Sequence, residues 1–287
     1  MVRTRHRGTL VRETDMRIGL VLGLAVAAAL GAAEVKADVL ADIQARGKLI
    51  CGMSSSSAPW GYLDSKTQTV VGYEVDLCKL LAKKLGVEVE LKDVSSTARV
   101  PEIMQGRVDV LAQLLTYSKE RAEQVDFSGA YVNESFNFMV RDDSELKQVD
   151  ELDGKRVGVV AGSFLEPLIP GRVPTARVVA FENQPANFMA LQQGKVAASA
   201  MRYSQAKALE VNGGDGVAKL RALPGALTTG ASGFGIKKGE DKWRDYLNAF
   251  LGDLETSGEG QALFDKWLGK DSVYKVERDF KFGQPLS

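Results

Sequence analysis

The run Ser54–Ser57 offers four hydroxyl groups, and a serine attacks only when a neighbouring base takes its proton. The single histidine is His6, in an N-terminal stretch that reads as a removable export signal, so a serine–histidine pair is excluded. No His/Cys spacing suits a metal, and no glycine-rich phosphate loop occurs. Neither a cofactor nor a metal is expected. Cys51 and Cys78 are the only cysteines. Cys51 falls in an apolar strand-like stretch and Cys78 on the apolar face of a helix-like one. They read as two small buried residues, although an oxidising compartment would also allow them to pair. The polar groups are therefore read for binding rather than for bond making.

The elements that would position such groups follow from the period of the apolar residues. Leu49–Met53 reads as a buried strand and Ser54–Pro59 as a polar loop. Glu74–Leu85 reads as a helix, with Val75, Cys78, Ala82 and Leu85 on one face and Gly86 closing it. Val87, Val89 and Leu91 alternate with charged residues as in a half-exposed strand. A short helix over Val100–Gln105 and a strand over Val108–Ala112 complete a first α/β unit. A second unit follows: a strand over Arg156–Ala161, a helix begun at Gly162-Ser163, a strand over Val178–Phe181, a helix over Pro185–Gln193 and a strand over Val196–Met201. Phe136–Arg141 and Gly233–Lys237 are the natural crossings between the units. Trp243–Thr256 and Gln261–Leu268 form a closing helical pair. Alternating strands and helices predict α/β lobes built on mostly parallel sheets. Ligands of such sheets bind beyond the carboxyl ends of the strands. This puts Ser54–Trp60, Ser95–Arg99, Leu114–Arg121, Gly162–Phe164 and Arg202–Tyr203 at a cleft.

The chain's 287 residues carry balanced formal charge. Five arginines between Arg3 and Arg17 precede an uncharged run from Ile18 to Ala33, and Val35-Lys36-Ala37 supplies a small-x-small cleavage pattern. These are the parts of a secretory signal, with cleavage near Ala37. The 16-residue run is shorter than the roughly 20 residues that span a bilayer. The remaining chain has 31 Lys+Arg against 34 Asp+Glu. No basic stripe interleaved with aromatics points to nucleic acid.

Several segments resemble, in order and spacing, the polar amino-acid-binding proteins (family 3 type) of ABC importers. They are Val71-Gly72-Tyr73-Glu74-Val75-Asp76-Leu77 with Leu81–Gly86, Thr116–Arg121, Val125–Ser128, Leu152–Val159, Ser257-Gly258-Glu259 and Asp265–Leu268. The resemblance covers about residues 38–270. It implies a two-lobed periplasmic-binding-protein fold of type II. Lobe 1 would comprise 38–138 and 236–287, lobe 2 would comprise 139–235, and a hinge would join them. It also implies that Arg121 and the hydroxyl of Thr116 grip a ligand α-carboxylate. A planar guanidinium suits that task through two parallel charge-assisted bonds. The turn at Gly162-Ser163 would add free backbone N–H groups at a helix start.

Departures from the family pattern carry information. Phe164 stands where a second hydroxyl is usual. Arg202 stands where an aspartate would receive the ligand's ammonium, and a cation there repels an ammonium at short range. Ser57 and Ser96 replace aromatics that sandwich neutral or basic side chains. Ser96–Pro101 instead resembles the acidic-amino-acid binders, whose arginine, here Arg99, meets a side-chain carboxylate. Trp60 reads equally as core or ligand-facing. Ligand contacts are thus expected from Arg121, Thr116, Leu114, Ser163, Phe164, Arg202, Arg99, Ser54, Ser96 and Trp60. The expected protein is a periplasmic monomer, not an enzyme. It binds a small carboxylate solute, with an acidic amino acid or related dicarboxylate favoured, and delivers it to an inner-membrane ABC permease. Presentation of ligand to a receptor, and a dehydratase on the same fold, are the alternatives.

Overall fold

A computed structural model describes residues 1–2, 38–214 and 216–286. The uncharged run and the expected cleavage point at Ala37 lie outside the described residues. Asp38 accepts a hydrogen bond from the Ala41 N–H and so caps α1 (Val39–Arg46). β1 (Lys48–Met53), a small sheet of β2 (Ser56–Ser57), β3 (Gly61–Leu63) and β4 (Val70–Val71), and α2 (Tyr73–Leu85) follow. α2 buries Tyr73, Val75, Leu77, Cys78, Leu81 and Ala82 and ends at left-handed Gly86, φ 71°. Next come β5 (Glu88–Asp93), α3 (Arg99–Met104), β6 (Val110–Leu111), α4 (Lys119–Gln124) and the long β7 (Val125–Arg141). β8 (Arg156–Val160), α5 (Ile169–Arg172), β9 (Arg177–Phe181), α6 (Gln184–Gln192), β10 (Ala198–Arg202), α7 (Tyr203–Asn212) and β11 (Leu220–Ala222) form a second series. β12 (Thr228–Lys237), α8 (Asp241–Ser257) and α9 (Glu259–Trp267) return the chain to the first.

The main sheet runs β5-β1-β6-β12-β7-β10-β8-β9. β1 is parallel to β5 and β6, and β8 is parallel to β10 and β9. The two parallel halves are joined by the antiparallel pair β7–β12, whose register shifts around Gly233. The apolar clusters divide in the same way. One pair draws on residues between Ile43 and Val132 and between Phe234 and Phe282. The other pair draws on residues from Phe136 to Leu223. Chain that leaves the first half on β7 and returns on β12 thus has two cores with a seam between them.

Two expectations are corrected. Cys51 and Cys78 are joined in a disulfide between β1 and α2. Both side chains are fully buried, so burial and pairing are not alternatives here. Second, Gly162-Ser163 does not open a helix. After β8 the chain makes an irregular turn, then a short 3₁₀ segment, Glu166–Leu168, before α5. Pro167 and Pro170 in this stretch remove the backbone donors that a longer helix would need.

Candidate functional site

A cavity of about 350 Å³ lies at the carboxyl ends of the parallel strands of both halves. Ser54 enters it after β1, and Ser96 and Arg99 after β5. Leu114 and Thr116 follow β6, Ser163 and Phe164 follow β8, and Arg202 ends β10. Trp60 does not line it. That side chain is fully buried in the core, edge-on to Tyr73 at 5.3 Å between ring centroids, because the β2–β3 hairpin folds back onto α2. The expectation of a ligand-facing Trp60 is corrected accordingly.

Leu114 has φ 46°, a left-handed conformation that costs a non-glycine residue of order 1–3 kcal/mol. What holds it is Glu74, near the start of α2, whose Oε1 accepts from the Leu114 N–H and the Tyr131 hydroxyl. Tyr131 is fixed in turn by stacking among Tyr73 and Phe234. The reversed Leu114 carbonyl accepts from Arg99 Nη1 at 3.3 Å.

Three arginines converge here with different partners. Arg99 donates to the carbonyls of Ser96, Gln113, Leu114 and Gly162, the last at 3.0 Å. Arg121, half-buried and outside the cavity lining, donates to the Thr116 carbonyl at 2.8 Å and the Gly162 carbonyl at 3.1 Å. Neither has a carboxylate partner among the described residues. Burial, and then the other arginines, lower the Arg99 pKa to about 9; burial and Arg202 lower that of Arg121 to about 10. Arg202 is different. Its Nε lies 3.1 Å from Glu134 Oε2, its guanidinium stacks 4.5 Å over Phe136, and Nη2 donates to Thr116 Oγ1 at 2.7 Å and Ser232 Oγ at 3.3 Å. Burial pushes Glu134 up to about 7 against the pull of Arg202.

At Gly162-Ser163 the backbone N–H groups are already used. Gly162 N donates to Glu166 Oε2 at 2.8 Å and Ser163 N to the Val160 carbonyl at 3.1 Å. The free donors expected of a helix start are absent; the Ser163 hydroxyl, buried on the cavity wall, has no partner. Sequence reasoning missed Glu74, Glu134 and Gln113 as site residues. Glu134 left one signal, a lone acid between Val132 and Phe136 in a mostly apolar strand. Glu74 left none, since its motif says nothing of what the helix start faces. Among the described residues no group of three or more His, Cys, Asp or Glu side chains could hold a metal.

Two α/β halves about a polar, arginine-rich cavity define a type II periplasmic-binding-protein fold, a receptor for a small polar solute. The family model of bacterial extracellular solute-binding proteins, family 3, matches residues 49–270, and the chain belongs to that family. The ABC transporter glutamine-binding protein GlnH of Bacillus subtilis is 28% identical over 237 residues, covering 80% of this chain and 84% of that protein. The L-glutamate/L-aspartate-binding protein of Pseudomonas aeruginosa is 26% identical over 244 residues, covering 79% and 78%. A crystal structure of the ancestral amino acid-binding protein AncCDT-1, a precursor of cyclohexadienyl dehydratase, superposes with a TM-score of 0.73 at 26% identity, covering 80% and 99%.

Proposed function

We propose that this chain is the extracytoplasmic binding component of an ABC importer, and that its solute is an acidic amino acid or a closely related dicarboxylate. One observation carries the preference for two carboxylates. Arg99 on the cavity wall and Arg121 outside its lining have no acidic partner among the described residues, and both spend a donor on the single carbonyl of Gly162. A carboxylate is the stronger acceptor for a guanidinium fork, so two such groups offer places for two carboxylates. We assign the α-carboxylate to Arg121 and Thr116 and the second carboxylate to Arg99. Arg202 already spends its donors on Thr116 and Ser232 beside Glu134 and makes a smaller claim on an anion.

In this reading solute docks on the half carrying Thr116 and Arg121, and the other half closes over it by a hinge motion along β7 and β12. Closure removes water and strengthens the charged contacts, and the closed monomer is what the permease recognises. In this reading the protein binds without transforming its solute, so solute recovered from the complex should be chemically unchanged. A thermal-shift screen of amino acids, their 2-oxo analogues and dicarboxylates tests the preference. Stabilisation by neutral or basic amino acids alone would sink it. For the solute that binds, Arg121→Ala and Arg99→Ala should each weaken binding by about 2–5 kcal/mol; unchanged affinity in Arg121→Ala removes the carboxylate assignment.

A further inference from the structure

If the solute is an amino acid, its ammonium needs a receiving acid, and the end of β10 holds Arg202 instead. Arg202 is tied on one side to Glu134 and on the other to Thr116 and Ser232, and a guanidinium, a donor only, has no acceptor to offer a cation. The remaining acids of the cavity wall can be sorted by their partners. Asp93 has both oxygens engaged by Ser55, Oδ1 by its N–H and Oδ2 by its hydroxyl. Glu182 is exposed at the rim. Glu74 is fully buried, and its Oε1 is engaged by Leu114 N and Tyr131 Oη while Oε2 has no partner. A buried carboxylate oxygen with an empty lone pair costs free energy unless something fills it. On the same wall, one residue before Leu114, Gln113 Oε1 is a second buried acceptor without a partner.

We infer that Glu74 receives the ammonium group of the bound solute through Oε2, with Gln113 Oε1 as the second acceptor. Resting on the amino-acid reading above, this makes the first lobe hold both ends of the zwitterion: the carboxylate at Thr116 and Arg121, and the ammonium at the start of α2. Leu114 lies between the two, and its left-handed backbone is fixed by the other oxygen of the same glutamate. The acid that shapes the loop thereby also reads the ligand, and specificity for a free amine is set before the lobes close. Arg202 becomes a bridging group of the closed form.

The test compares each amino acid with its analogue lacking the amine, by calorimetry on the wild-type protein, Glu74→Gln and Glu182→Gln. Glu74→Gln keeps the side-chain shape and the oxygen facing Leu114. The inference expects wild type to prefer L-glutamate over glutarate. It expects Glu74→Gln to lose L-glutamate affinity by about thirtyfold or more, as when one side of a buried charged contact is removed, while glutarate affinity is unchanged and Glu182→Gln alters neither. Equal losses for glutamate and glutarate in Glu74→Gln would mean a purely structural role and overturn the inference, as would no loss for either. If wild type binds neither acid, the dicarboxylate preference fails separately. Glutamine and its des-amino analogue 4-carbamoylbutanoate then decide the role of Glu74 by the same comparison. A wild-type protein that binds no amino acid, or binds the des-amino compound equally well, overturns it outright.

Discussion

At the scale of single residues, the site is a problem of charges taken out of water. Arg202 and Glu134 are each about 10% exposed as side chains and lie 3.1 Å apart, yet neither Nε nor Oε2 is aligned for a hydrogen bond. Such a pair recovers only part of its desolvation cost, and the carboxyl responds by holding its proton up to about pH 7 rather than 4.5. Between those values the folded chain carries a proton that the unfolded chain has lost. Stability therefore falls as pH rises through the window and recovers as pH falls. The size for this one group is roughly 3 kcal/mol. Glu74, raised by burial as well, contributes with the same sign, so the variant Glu134→Gln is needed to isolate the pair. Urea unfolding at pH 5 and pH 8 should show wild type gaining more stability at the lower pH than Glu134→Gln does. Equal gains would show that Glu134 does not titrate in this range. None of this was legible in the sequence. A glutamate on a strand is ordinary, and its titration depends on an arginine 68 positions away that only the fold brings near.

At the scale of elements more is legible in the sequence, because strand and helix periods are local. The expected helix Glu74–Leu85 is α2, and the expected strand Arg156–Ala161 is β8. The crossing segments belong to strands longer than expected: β7 reaches from Val125 to Arg141 because its outer residues pair with β12 and β11 rather than following one apolar period. The miss at Gly162-Ser163 has a similar origin, since prolines at 167 and 170 outweigh the turn that precedes them. Pairing of Cys51 with Cys78 depends on β1 lying against α2, which no spacing encodes. That disulfide closes a loop of 27 residues in sequence separation and ties the strand leading to Ser54 to the helix bearing Glu74. Constraining the unfolded chain over such a loop contributes about 3–4 kcal/mol. The double variant Cys51→Ala/Cys78→Ala, or wild type under reductant, should lose about that much in denaturant unfolding. A loss under 1 kcal/mol would mean that the apolar cluster shared by the two elements alone fixes β1 against α2.

At the scale of the whole molecule, the decisive question is what keeps the two halves together. Polar side chains bridge the seam. Arg99 and Arg121 reach Gly162, Arg202 reaches Thr116 and Ser232, and Gln205 Nε2 donates to Ser57 Oγ at 2.7 Å. The neutral Gln205–Ser57 bond contributes about 0.5–1.5 kcal/mol net and a guanidinium-donated bond about 1.5–3 kcal/mol, but the two guanidiniums without a carboxylate partner oppose one another's charge. Opposite them stand β7 and β12, the connections at which the closure proposed above would bend. An arrangement that gathers like charges should close fully only when an anion joins the guanidiniums. A chain of about 250 residues with both halves packed together has a radius of gyration near 18 Å. Small-angle X-ray scattering on residues 38–287 should therefore give a larger value without solute and a fall toward that figure at saturation. Arg121→Ala at the same solute concentration should stay at the larger value if Arg121 makes the carboxylate contact proposed above. A wild-type radius that does not change with solute, in a protein that calorimetry shows to be saturated, would mean that binding proceeds without closure and that the hinge reading of β7 and β12 is wrong.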